Sequence, residues 1–126
     1  MSEKIERFMD SCERFGMSRE CAEKLLEDTS LTALECIEVV KTIKRYQNGC
    51  YYTMKVLAAK KAVDDAKTLA DWIAIAEHTN GRNREIAFSK IHGFRNLSND
   101  DVQLLVRSRS SKLNAIGWYL NSEPSI

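Results

Sequence analysis

The chain has 126 residues, 44% of them hydrophobic and 29% charged, and its 19 Lys and Arg against 18 Asp and Glu leave a net charge of +1. This is the composition of a folded chain at a length that can bury a core without staples, and no uninterrupted apolar run approaches the roughly 20 residues a membrane helix needs. The first residues, Met1 to Arg7, are charged and lack an apolar h-region, so no secretory signal is read and a cytoplasmic location is expected.

Residues Ile5, Phe8, Met9, Cys12 and Phe15 step by 3, 1, 3 and 3, the spacing of one helix face, with Gly16 as its C-terminal cap. Ser18 caps a short second helix through Leu25 and Leu26. Thr32 and Glu35 have capping-box spacing and open a third helix with Ile37, Val40 and Ile43 inward, ended by Asn48-Gly49. A fourth helix from about Cys50 to Val63 turns Met54, Leu57 and Ala58 to one side, and Asp64-Asp65 follow it. The fifth bears Ala66, Leu69, Ala70, Trp72, Ile73, Ile75 and Ala76, an apolar arc wide enough to require cover on more than one side, and ends at Asn80-Gly81. Ala87, Phe88, Ile91 and Phe94 mark a sixth. Ser98 and Asp101 open a seventh with Val102, Leu105 and Val106, and Leu113, Ile116, Gly117 and Leu120 mark an eighth, in which core packing is the expected use of Trp118.

The single proline, Pro124, lies past the last pattern, and no segment sustains two-residue alternation. The expectation is an all-α chain of about eight short helices in antiparallel hairpins, either an α-solenoid-like stack or a compact orthogonal bundle. Residues 1–121 are expected to form a single domain, with an N-terminal hairpin over 1–30 and repeat-like hairpins over 31–120, and 122–126 a flexible tail.

Catalytic signatures are not found. Cys12, Cys21, Cys36 and Cys50 are separated by 8, 14 and 13 residues, with no C-x-x-C pair, and the first and third fall on apolar stripes where a thiol acts as a small hydrophobe. His78 and His92 have only the acids that any helix surface supplies as neighbours. The acidic pairs Glu27-Asp28, Asp64-Asp65 and Asp100-Asp101 fall where helices begin or end, and acids in a first turn complement the helix dipole without a catalytic role. With no nucleophile elbow or phosphate-cradling glycine loop, the sequence gives no reason to expect an enzyme, a metal site or a cofactor.

One internal offset stands out. Asn48-Gly49 recurs 32 residues later as Asn80-Gly81, and at that offset Ile37 meets Leu69, Val40 meets Trp72, Ile43 meets Ile75, Met54 meets Ile86, Val56 meets Phe88, Ala59 meets Ile91 and Ala62 meets Phe94. Residues 100–120 read as a third, shortened hairpin without the Asn-Gly turn. Over about residues 31–120 the chain thus resembles HEAT-like α-solenoid repeats, which implies stacked helix pairs whose second helices line a concave binding face. The segment Arg14-Phe15-Gly16-Met17-Ser18-Arg19-Glu20-Cys21-Ala22, with Leu25, Leu26, Cys36, Ile37 and Val40 after it, resembles a ubiquitin-associated domain whose Met-Gly-Phe loop is here reversed. It also resembles a helix-turn-helix with Gly16 in the turn, although the second helix carries Glu20, Glu23, Glu27 and Asp28. A plain capping hairpin accounts for the same residues.

Charge is distributed in blocks: 5 bases and 8 acids over residues 1–30, 6 and 2 over 31–63, 1 and 4 over 64–80, and 4 and 1 over 81–97. A candidate basic binding face comprises Lys55, Arg82, Arg84, Lys90, Arg95 and Lys112, with Tyr51, Tyr52 and Tyr119 as candidate aromatic contacts. Surface recognition is the function these features favour. The expected role is a non-catalytic adaptor or regulator that binds another protein through a helical surface, with self-association as a variant. The alternative is a nucleic-acid-binding protein using the basic face, and no membrane partner is expected.

Overall fold

The computed structural model describes residues 3–15, 18–46 and 51–122, and among these it contains eight α-helices and no strand. The helices are α1 (Glu3–Phe15), α2 (Arg19–Thr29), α3 (Ala33–Tyr46), α4 (Tyr52–Asp65), α5 (Leu69–His78), α6 (Gly81–Gly93), α7 (Asn99–Val106) and α8 (Ser111–Ser122). The all-α expectation holds. Gly16, Asn48-Gly49 and Cys50 lie outside the described residues, so the turns assigned to them stay expectations.

Two compact units divide the chain, Met1–Ala66 and Lys67–Ile126. In the first, α3 packs against α4, α2 against α4, and α1 against α2 and α3. The stripe of α1 does what its spacing requires, since Ile5, Phe8, Met9 and Cys12 are all buried. Ser18 caps α2 by accepting the Cys21 N–H at 3.2 Å, and Ser30, at φ 54°, ends that helix in the left-handed region. Thr32 and Glu35 form the capping box: Thr32 Oγ1 accepts from the Glu35 N–H and Glu35 Oε1 accepts from the Thr32 N–H. The Lys4 ammonium joins the same carboxylate at 3.0 Å, so a surface residue of α1 closes onto the start of α3.

Helix α4 presents Met54, Ala58, Ala59 and Ala62 inward, and the three alanines admit a close neighbour. It begins two residues later than expected and extends through Asp65, where the Lys61 ammonium donates to the Asp65 carboxylate. Ala66 lies outside α5 as the extended residue that ends α4. The start of α5 is set instead by a second capping box, in which Thr68 accepts from the Asp71 N–H and the Asp71 carboxylate accepts from the Thr68 N–H.

In the second unit α5 packs against α6 and α7, and α7 packs against α8. The wide arc of α5 is real: Leu69, Trp72, Ile73, Ile75 and Ala76 are all buried. Helix α6 starts at Gly81, whose φ of 58° explains why a glycine follows Asn80, and it buries Ala87, Phe88 and Ile91. Phe94 falls just past its end and is half-buried in the loop to α7. Ser98 and Asp101 form the capping box that opens α7.

Candidate functional site

The site is an open groove of about 750 Å³ in the second unit, bounded by the end of α6, the loop 94–98, Val102 of α7 and one face of α8. Local sequence fixes each wall. Three basic residues follow one another near the C-terminus of α6, Lys90, His92 and Arg95, where cations complement the exposed carbonyl dipoles. Arg95 goes further. Its guanidinium donates to the carbonyls of His92 at 2.9 Å and Phe94 at 3.1 Å, capping the helix and holding the charge at the groove's edge. Asn96 then takes φ 57°, and the Ser98–Asp101 box turns the chain into α7, so Phe94 and Leu97 face the groove from a loop tied at both ends and Val102 from the helix that follows.

The opposite wall is a single helix face. Lys112, Ala115, Ile116 and Tyr119 follow the spacing i, i+3, i+4, i+7, and all four line the groove. What orients them is the contact α8 makes on its other side. Gly117 is buried against α7 so closely that a Cβ there would meet the Val106 backbone nitrogen at 2.8 Å and the Leu105 Cβ at 2.9 Å, while Leu113, one turn earlier, is fully buried. Between them Asn114 Nδ2 donates to the carbonyls of Leu105, Val106 and Ser108 at 3.2, 2.8 and 2.7 Å, satisfying the last turn of α7. Glu77 of α5 anchors the connection by accepting from Ser108 Oγ and the Arg109 N–H.

That geometry corrects the expectation for Trp118. The inward line of α8 is taken by Leu113 and Gly117, and the next residue is turned about 100° away from it. Trp118 is consequently 59% exposed, beside Tyr119 at 65%. The Gly117 approach was the missed signal, because a glycine inside a helix marks a close neighbour.

The electrostatics of the groove are one-sided. Among the described residues that line it, His92, Arg95 and Lys112 bring positive or protonatable groups and there is no carboxylate, while Ile91, Phe94, Leu97, Val102, Ala115 and Ile116 supply an apolar floor. A pocket of this volume is of the size that binds small ligands or a few side chains of a partner.

The residues of the expected basic face do not all meet. Arg84 and Lys112 converge on one ring, their cationic groups 5.4 and 4.4 Å from the centroid of Phe88. Lys90 instead lies over Trp72 at 6.0 Å, because six residues place it about 120° around α6 from Arg84. Arg95 donates to the carbonyls of His92 and Phe94 at the end of α6, and Arg82 is exposed at the start of that helix. Lys55 is half-buried on α4 in the first unit. Of the aromatic candidates, Tyr52 and Tyr119 are exposed, whereas Tyr51 is a correction: at the start of α4 it is only 8% exposed and belongs to the packed interior.

The thiols follow the periodicity that placed them. Cys12 and Cys36 are buried and Cys21 is exposed, and burial pushes the Cys36 thiol up to about 11. No cluster of three or more His, Cys, Asp or Glu suited to a metal ion occurs among the described residues, and none of the described helices is long and apolar enough to cross a membrane. Comparison of the chain with protein-family models, with curated proteins and with solved structures finds no match.

Proposed function

We propose that this protein is a non-catalytic adaptor or regulatory protein that binds another protein through its helical surface, with the groove between α6 and α8 as the contact. The observation that carries the reading is the α8 face Lys112, Ala115, Ile116 and Tyr119, a stripe with helical spacing that runs from a lysine across two apolar residues to an exposed tyrosine and lines an open groove. A partner helix or loop gains from burying such a stripe, and aromatic residues at its rim are the residue types that anchor interfaces. The consecutive helix pairs α3/α4, α5/α6 and α7/α8 support reading the chain as HEAT-like hairpins, a scaffold suited to presenting a recognition face.

A photo-cross-linking amino acid in place of Ala115, which is exposed in the groove wall, tests the reading in native lysate with and without nuclease. A discrete protein adduct that survives nuclease and disappears with Ile116→Asp is expected. Nuclease-sensitive adducts, or protein adducts indifferent to Ile116→Asp, would remove the groove from the account.

The nucleic-acid alternative rests on the cations of α6 and α8. Two of them, Arg84 and Lys112, are drawn onto the Phe88 ring, and Lys90 faces Trp72, so the positive charge is divided between two aromatic contacts. A phosphate backbone favours a continuous row.

A further inference from the structure

Resting on that reading of the groove, we infer that its occupant is an acidic amphipathic helix of a partner protein, a segment with apolar residues at i, i+3, i+4 and i+7 flanked by Asp or Glu. Two features of the groove specify the two properties of the guest. Its floor is apolar and its α8 wall repeats at helical spacing, which matches the ridge of a helix laid along it, the helix-in-groove mode of recognition. Its edges are charged with one sign. Lys112 stands at one wall and Arg95 at the other, with His92 beside it, and no carboxylate among the described lining residues neutralises them.

The cations are also held in place. Lys112 is drawn over the Phe88 ring, and the Arg95 guanidinium is fixed by two carbonyls that use the same terminal nitrogen, which leaves the guanidinium's other N–H groups to donate outward. A carboxylate arriving at either edge meets a charge whose position needs no further ordering, and such preorganisation is what lets a rim charge contribute to binding. A basic guest would be repelled from both edges, so the groove selects by sign as well as by shape.

The test uses the full chain and a fluorescein-labelled helical 16-residue peptide with leucines at the four anchor positions and glutamates beside them, read by fluorescence anisotropy at about 0.1 M salt. Its partners are the same peptide with every glutamate replaced by glutamine and by lysine, and a 20-nucleotide single strand. The glutamate peptide is expected to bind most tightly and the lysine peptide about tenfold more weakly or worse. Lys112→Gln should weaken the glutamate peptide by about two- to fivefold, the range of a single exposed ion pair, and leave the glutamine peptide unchanged. Ile116→Asp should abolish binding of both, and Arg82→Gln, outside the groove, should do nothing, with circular dichroism reporting the fold of each variant.

Equal affinity for glutamate, glutamine and lysine peptides overturns the inference of an acidic guest. If the Ala115 cross-link still captures a protein that Ile116→Asp releases, the proposed function stands without it. Saturable groove-dependent binding of the single strand, or self-association of the chain in sedimentation equilibrium that Ile116→Asp abolishes, overturns it in favour of nucleic acid or of a second copy.

Discussion

The Lys112 ammonium of α8 lies 4.4 Å from the centroid of the Phe88 ring of α6, although the two residues are 24 positions apart. Phe88 is itself buried and receives Arg84 from its own helix at 5.4 Å, so one aromatic ring positions two cations and joins the helices that wall the groove. Replacement by leucine keeps an apolar side chain and removes the ring's quadrupole. A double-mutant cycle of Phe88→Leu with Lys112→Gln, followed by denaturant unfolding, should give a coupling of about 0.5–1 kcal/mol. Strict additivity would mean that the pair does not interact.

Gly117→Ala should destabilise the second unit. Alanine is the better helix former by about 1 kcal/mol in isolation, yet its Cβ would stand 2.8 Å from a backbone nitrogen that cannot swing aside. The steric term wins, with a net loss of about 1–3 kcal/mol and faster hydrogen exchange in the last turn of α7. A stabilised variant would show that α7 and α8 do not approach as described.

Acid should loosen the first unit in a way that depends on Glu35. The Thr32 N–H bonded to its carboxylate, and then the Lys4 ammonium, hold its pKa below the ordinary value. An unfolded glutamate takes up its proton near about 4.3, so the stabilisation is complete above that pH and is lost as pH falls through the lower folded value. Glu35→Gln should therefore flatten the acid limb of the stability profile measured by urea unfolding. An unchanged limb would place the acid sensitivity elsewhere.

Cysteine labelling should separate by depth. Cys21 is exposed and should react quickly with a maleimide near pH 8, whereas Cys12 and Cys36 are buried and should react only as fast as their unit opens, the latter also hindered by a thiol pKa of about 11. Peptide-resolved mass spectrometry reads each site. Rapid native labelling of Cys36 would contradict the packing of α3.

Most of the helical framework was legible because it rests on local chemistry. The α1 stripe, the caps at Ser18, Thr32 and Ser98 and the wide arc of α5 each depend on residues three or four apart, and each appears as the spacing required. The Thr68–Asp71 box is equally local, but Ala66, apolar and three residues ahead of Leu69, fits the helical spacing and suggests an earlier start to α5. The groove was not legible. Its walls meet through Gly117 against Val106 and Lys112 over Phe88, contacts between helices that no periodicity within one helix encodes. For the same reason Trp118 was expected inside and Tyr51 outside. A large aromatic suits either environment, and the choice is made by the neighbouring glycine in one case and by the packed start of α4 in the other.

The most direct measurement is a methyl NMR titration of the full chain with a synthetic peptide copied from the segment cross-linked at position 115. The account predicts saturable shifts at Ile91, Val102 and Ile116, with Ile5, Ile37 and Val40 of the first unit unmoved, since the former line or floor the groove and the latter do not. Shifts confined to the first unit, with the groove methyls silent, would contradict it.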